Sequence, residues 1–302
     1  MANSKIFVLG SMNMDLVMKS KYIPQSGETM HGDKFFMNPG GKGANQAVAL
    51  AKNEEEVVMI GCVGQDAMGK QLIESLKEVS VHTQFIEERN TNTGVAVILV
   101  DEKDNRIILE AGANYQLEDN QIENALTFAT ENDYFLTQLE TNWEAIEKGI
   151  KTAKQKNMQV VFNPAPVTSI DLNILYDVDF LIVNEIECQM LLNCTSKEAQ
   201  KIQTFLNQYK ITYCIITLGD KGVDVYTSQT MKHYAAYQIT PVDTTAAGDT
   251  FIGAFLSEWI RTQKMDQSIV YATAASALTC LSLGAQQSIK NRKEVESFLE
   301  RK

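Results

Sequence analysis

Six short, almost continuously apolar runs constrain this chain more than any other feature. KIFVLG, VVMIGCVG, DYFLTQ, QVVFNPAP, DFLIVN and TYCIITLG each read as a buried strand rich in β-branched residues. Between them lie segments of helical periodicity: GANQAVALAK, GKQLIESLKEV, LEDNQIENALTFA, NWEAIEKGIKTAKQK and KEAQKIQTFLNQYK. A strand as apolar as CIITL is buried on both sides, which calls for helices above and below the sheet. The alternation therefore predicts a doubly wound α/β fold with a mostly parallel central sheet and helices on both faces.

Two regions break the alternation. Residues 14–38 and 91–110 carry strand patterns joined by turn residues and no helix, the second as a hairpin turning at Asp101 to Asn105. They are expected to leave the core together as a small β-sheet lid over a site; the alternative is an antiparallel edge of the main sheet. Further strand-like pieces, GVDVYT and KHYAAYQI, follow Gly222, and three helices run from about residue 248 to the C-terminus. With no repeat, low-complexity tract or linker, residues 1–302 are expected to form one α/β domain with this lid.

With 38 acidic against 27 basic residues, the net charge of -11 disfavours nucleic acid as a partner. The first residues read as a strand rather than a signal peptide. YATAASALTCLSLGA is too short and too rich in Ser and Thr to span a membrane. Five cysteines form no C-x-x-C pair and are expected to be reduced thiols of a cytoplasmic protein.

Loops that follow strands are where such sheets bind ligands. GSMNMD, after the first run, lacks the three glycines of a dinucleotide turn, which disfavours a nicotinamide dehydrogenase. Its Asn13 and Asp15 are two apart and project to one side of an extended segment, suited to neighbouring sugar hydroxyls or to capping a local turn. NPGGKGANQAVA places Gly40, Gly41 and Gly43 before a helix, with Lys42 and Asn45 as side-chain donors. GQDAMGKQ mimics a phosphate loop, but Gln71 stands where Ser or Thr would hold magnesium. Gly64, Asp66 and Gly69 instead suit a turn into a helix. In NEIE, Asn184 and Glu187 share a helix-start face and could hold hydrated magnesium or simply cap the helix. TLGDKG, Thr217 to Gly222, is either a hairpin turn or a nucleotide loop.

The most specific segment is DTTAAGDTF. If a helix starts near Gly248, the amides of Ala246, Ala247, Gly248 and Asp249 point outward at its positive end, an anion hole for a transferring phosphoryl group. Asp249 can accept the proton of an attacking hydroxyl. It is a weak base there, which suffices for a loose transition state governed by positioning and charge. The bland reading is that Asp249 only complements the helix dipole.

These ordered motifs, together with GVAVILV, EAGAN, QLE and NPAP, resemble the ribokinase family of sugar kinases, also called the phosphofructokinase B family, over essentially the whole chain. The resemblance implies magnesium- and ATP-dependent transfer of the γ-phosphoryl group to the 5-hydroxyl of ribose. Asp249 would be the catalytic base and Ala246, Ala247 and Gly248 the anion hole. Asn13, Asp15, Gly41, Lys42, Asn45 and Glu140 would bind sugar. Asn184, Thr217, Gly219, Gly222 and Gly248 would contact nucleotide, and Glu187 would organise magnesium through water. A monovalent cation, usually potassium, would lie near Asp243, Thr245, Thr279, Ser282, Gly284 and Ser288. A homodimer through the lid is also implied. Two positions depart from the family pattern: Thr273, where a histidine near the adenine is common, and Gln287, where proline is common and whose change is expected to loosen the cation loop.

The sugar motifs offer Lys42 as their only basic side chain, which favours a neutral sugar over a phosphorylated one. A nucleoside would need an apolar slot such as Met12, Met14, Phe36 and Met37 could supply, although these residues suit packing of the lid or its dimer seam. Deoxyribose would also fit, leaving polar partners unpaired. A non-catalytic sugar-binding protein on the same fold is the reading outside enzymology.

Overall fold

The computed structural model describes residues 4–101 and 105–301. Its first strands are β1 (Lys5–Leu9), β2 (Asn13–Lys19), β3 (Lys34–Gly40), β4 (Glu56–Gly64), β5 (His82–Arg89), β6 (Gly94–Val100) and β7 (Asn105–Glu110). The rest are β8 (Tyr134–Thr137), β9 (Gln159–Phe162), β10 (Phe180–Asn184), β11 (Tyr213–Thr217), β12 (Val223–Tyr226) and β13 (Met231–Tyr234). The helices begin with α1 (Lys42–Lys52), α2 (Ala67–Glu78), α3 (Asp119–Leu126), α4 (Trp143–Gln155) and α5 (Glu185–Leu192). They end with α6 (Ala199–Tyr209), α7 (Ala247–Thr262), α8 (Met265–Thr279) and α9 (Arg292–Leu299).

Nine strands form the main sheet in the order β13-β12-β11-β10-β9-β8-β1-β4-β5. Every pairing from β11 to β5 is parallel, and β12 and β13 extend the sheet antiparallel. Strand alternation sorts the apolar side chains into two cores. Ile6, Val8, Phe180, Ile182 and Ile215 face one way, with residues of α1, α2, α7, α8 and α9. Phe7, Leu9, Leu181, Val183 and Ile216 face the other, with α3, α4, α5 and α6. This is the doubly wound architecture that the apolar runs demand. The edge strand β5 was not anticipated: HTQFIEER alternates polar and apolar residues, so it lacks the continuous run that marks a central strand.

The remaining four strands form a separate sheet, β3-β2-β6-β7. It is mixed, with β2 and β6 parallel and the other two pairings antiparallel. The chain in the regions 14–38 and 91–110 thus pairs with itself and not with the edge of the main sheet. The turn anticipated between Asp101 and Asn105 lies on 102–104, outside the described residues. The phosphate-loop mimic fastens this sheet to the core: Asp66 caps α2 by accepting from the Gly69 amide at 2.8 Å, and accepts from the Thr93 amide at 2.8 Å just before β6.

Among the described residues, no helix is long and apolar enough to cross a membrane. All five cysteines are buried and unpaired.

Candidate active site

Three cavities meet at Thr244, the first two along the ends of β9, β10 and β11. The first, about 280 Å³, is lined by Thr217, Gly219, Gly222, Gly248, Thr273 and Ser276, among others. The second, about 220 Å³, is lined by Lys42, Asn163, Asn184, Glu187, Ala246 and Asp249. Thr217, Thr244 and Gly248 border both. The third, about 420 Å³, lies under the small sheet between Asp15, Lys19, Phe36, Asn38 and Ile98 and the loop residues Asp243, Thr245 and Gly284.

The floor is the start of α7. Its N-cap, Ala246, has left-handed backbone (φ 60°), carries no capping side chain, and is strained by roughly 1–2 kcal/mol for its handedness. The Ala247 amide donates to Thr244 O at 3.2 Å, so this member of the expected anion hole is engaged within the protein. Among the described residues, the Gly248 and Asp249 amides have no acceptor. A Cβ on Gly248 would meet no atom within 4 Å, so the glycine leaves room for a ligand and not for a neighbouring side chain.

Asp249 is buried, and both its oxygens accept amides, from Asn45 Nδ2 and Gln46 Nε2 at 3.0 Å each. Around it stand Lys42, Glu140, Asp15 and Glu187. Burial alone would depress the Lys42 ammonium, but Asp249, Glu140 and Glu187 together hold its pKa above the ordinary lysine value. Burial, with Glu140 and Asp249 nearby, pushes Asp15 up to about 7. Burial also raises Glu140, despite Lys42 and the hydrogen bonds it accepts from Ser11 Oγ and the Lys42 amide.

Asn13 and Asp15 share one face of β2, opposite Gly40 and Asn38 of β3. The Asp15 carboxylate fills the place where a Gly40 Cβ would be, 2.4 Å away. Gly41 is the N-cap of α1. Asn13 Oδ1 accepts from Asn114 Nδ2 at 2.7 Å, and Asn114 also brackets Met12 through its amide and carbonyl.

Asn184 and Glu187 form a reciprocal capping box at 2.8 Å in each direction, so the cap reading of NEIE is realised. Burial raises Glu187, and its second oxygen, Oε1, has no partner among the described residues. No group of three metal-ligating residues occurs among the described residues. One free carboxylate oxygen beside a phosphate-sized cavity suits a magnesium ion that takes its other ligands from phosphate and water.

The hairpin reading of TLGDKG is realised. It turns β11 into antiparallel β12, and it borders the first cavity. Thr273 lines the same cavity, and its hydroxyl donates to Ile269 O at 2.7 Å within α8.

The loop after α8 is tied to the one before α7. Asp243 accepts from the Thr245 amide and hydroxyl and from the Gly284 amide, which hold its carboxyl low against burial. Thr279 Oγ1 donates to Thr250 Oγ1 and Ser288 Oγ to Ala285 O, so each hydroxyl has used its proton and keeps its lone pairs. The carbonyls of Asp243, Thr245, Ser282 and Gly284 accept nothing among the described residues. Unpaired carbonyls without a free carboxylate suit a weakly hydrated monovalent cation. Gln287 donates to Asn38 of β3 at 3.1 Å and so ties this loop to the small sheet, the opposite of the loosening expected of it. Of the side chains proposed for a nucleoside slot, Met12 and Met14 are buried in the core, Met37 is on the outer face of the small sheet, and Phe36 alone reaches the third cavity.

Gln46, Asn163, Gln138, Ser11 and Asn114 were not anticipated as site residues. All five lie in quoted motifs, and Ser11, Gln46 and Gln138 fall within two residues of an anticipated one, but each has its partner on another element, and spacing along the chain carries no trace of that.

A buried carboxylate, amides at an uncapped helix end, a cavity beside them and a polar cleft are the equipment of a phosphotransferase acting on a hydroxyl. The sequence profile of the pfkB family carbohydrate kinases matches residues 3–292. The chain is 36% identical to the ribokinase of Lactococcus lactis subsp. lactis over 98% of its own length and 97% of that protein's. It superposes on ribokinase from Thermotoga maritima with a TM-score of 0.89 at 35% identity, covering 98% of this chain and 99% of that one. The structure of Arabidopsis thaliana ribokinase complexed with ribose and ATP matches with a TM-score of 0.88 at 28% identity, over 99% of each chain. The chain belongs to the pfkB family of carbohydrate kinases.

Proposed function

We propose that this protein is an ATP-dependent kinase that phosphorylates the 5-hydroxyl of D-ribose. The observation that carries this is the Asp249 carboxylate, clamped by two amides where the nucleotide cavities meet the polar sugar residues. Full-length likeness to ribokinases, one of them complexed with ribose and ATP, supports the choice of acceptor. Asn45 Oδ1 is buried without a partner, an acceptor that a sugar hydroxyl would satisfy.

In this reading ATP lies along the first two cavities with its adenine near Thr273 and its γ-phosphate at Gly248. Asn13, Asp15, Gly41, Lys42, Asn45 and Glu140 hold the sugar. Asp249 takes the hydroxyl proton as the sugar oxygen bonds to the γ-phosphorus and the bond to the β–γ bridging oxygen breaks, releasing ADP. The Gly248 and Asp249 amides and Lys42 stabilise the charge on the transferring group. Glu187 would hold, through water, a magnesium ion that would neutralise phosphate charge, and the carbonyls of Asp243, Thr245, Ser282 and Gly284 would hold potassium beside α7.

The small sheet closes over the sugar as a lid. Its outer face exposes Phe35, Met37 and Ile108, which supports a homodimer through that face. Sedimentation as a monomer at micromolar concentration would remove the dimer. Buried unpaired thiols and an acidic surface fit a cytoplasmic enzyme.

The test is coupled ADP release from magnesium-ATP with ribose, deoxyribose, fructose, fructose 6-phosphate and adenosine, in potassium and in sodium. Ribose should turn over fastest and faster in potassium. Asp249→Asn should lower kcat by about 10²–10⁴-fold. A better acceptor would replace ribose and keep the mechanism; sugar binding without any turnover would make the chain a sugar-binding protein.

A further inference from the structure

Asp249 is gripped from behind by a chain of buried amides whose direction is set at its far end. Ile182 O, a main-chain carbonyl, can only accept, and Asn163 Nδ2 donates to it at 2.9 Å. That turns Asn163 Oδ1 towards Gln46, whose Nε2 donates to it at 3.3 Å and to Asp249 Oδ1 at 3.0 Å. Gln46 Oε1 therefore faces away, and it accepts from Gln138 Nε2 at 2.7 Å. Gln138 Oε1, the last atom of the chain, is buried with no partner. The four side chains come from α1, α7 and the loops after β8 and β9, and none is more than 7% exposed.

A buried carbonyl left without a donor destabilises the fold. Flipping Gln138 would not relieve it, because an oxygen would then oppose Gln46 Oε1. An apolar side chain at 138 would avoid the cost and leave Gln46 without its second anchor. The polarity of the chain is thus kept at the expense of stability, and its product is one N–H aimed at one oxygen of Asp249.

We propose that Gln46 is a positioning residue that fixes the Asp249 carboxylate in line with the acceptor hydroxyl, with Asn163 and Gln138 fixing the amide of Gln46. With Asn45 on Oδ2 and Gln46 on Oδ1, the carboxylate cannot rotate. The proposal rests on Asp249 being the base.

Two substitutions test it, with kcat and both KM values followed from about pH 5.5 to 8.5. Gln46→Met keeps the length and removes the donor; kcat should fall on the order of 10²-fold at every pH, with both KM values within about twofold. Gln46→Glu restores a donor only while its new carboxyl is protonated. Its neighbours Asp249 and Asn163 Oδ1 favour that proton, and the surrounding charges Lys42, Asp15, Glu140 and Glu187 are the same in both proteins. The ratio of its kcat to that of the wild type should therefore be high in acid and fall as pH rises.

A ratio flat across the range overturns the proposal, as does a wild-type kcat in Gln46→Met. Should the Met variant not fold, the pH course of the Glu variant still decides. Asp249→Asn separates the two claims: if it turns over like the wild type, the base assignment fails, and if it is dead while Gln46→Glu shows no pH course, only the positioning role fails.

Discussion

Helices α5 and α7 both start at the second cavity, and they finish their N-termini in opposite ways. At α5 the residues NEIE close the end on themselves, each of Asn184 and Glu187 satisfying the other's amide. At α7 an alanine in left-handed conformation stands at the cap, no side chain caps, and two amides are unclaimed. At α5 the box claims the third helical amide, that of Glu187, whereas at α7 the amide in the same place, that of Asp249, is kept for an anion. Between the two stands α1, whose first amides are claimed by side chains from elsewhere in the fold, Lys42 N by Glu140 and Gly43 N by Ser11 at 3.4 Å.

The contrast breaks most sharply at Gly248. Gly248→Ala should fold normally, since a Cβ there meets no neighbour, yet lower kcat/KM for ATP by about 10²-fold by displacing the phosphate from the amides. Steady-state kinetics beside a melting curve check this; loss of stability in place of activity would make the glycine structural.

The α1 end sharpens it through pH. Asp15, raised to about 7 by burial first and then by Glu140 and Asp249, carries a proton in the folded protein over a range where the unfolded chain has lost it. Its contribution to stability is therefore present at low pH and lost as pH climbs from about 4 to 7. Sugar hydroxyls donate to the ionised form, so calorimetry should find ribose roughly tenfold weaker at pH 6 than at pH 8, and Asp15→Asn should flatten that difference.

The smallest effect separates two capping boxes. Asn291 and Glu294 form one at α9, away from the cavities, with the same reciprocal bonds as α5. Asn184→Ala and Asn291→Ala should each cost about 1 kcal/mol, measurable by denaturant melts. Only Asn184→Ala should also raise the KM for ATP, and equal kinetics in the two would confine Asn184 to the cap.

Caps, strand alternation and the start of α7 were legible in the chain because each is local. The apolar runs fixed a parallel sheet with helices on both faces, since period-two burial on two sides has no other solution. NEIE and DTTAAGD mark helix starts within a few residues of themselves. The strand β5 escaped because an edge strand has one polar face, and Gln287 was misjudged because its partner, Asn38, is 249 positions away. The same distance in sequence hid the grip on Asp249, which is assembled from residues 45, 46, 138, 163 and 249. Sequence by itself determined the elements, their layering and which loops hold chemistry. The tertiary structure decided which buried amide meets which carboxylate, because a hydrogen bond needs two groups within about 3 Å and only the packing of distant elements brings them there.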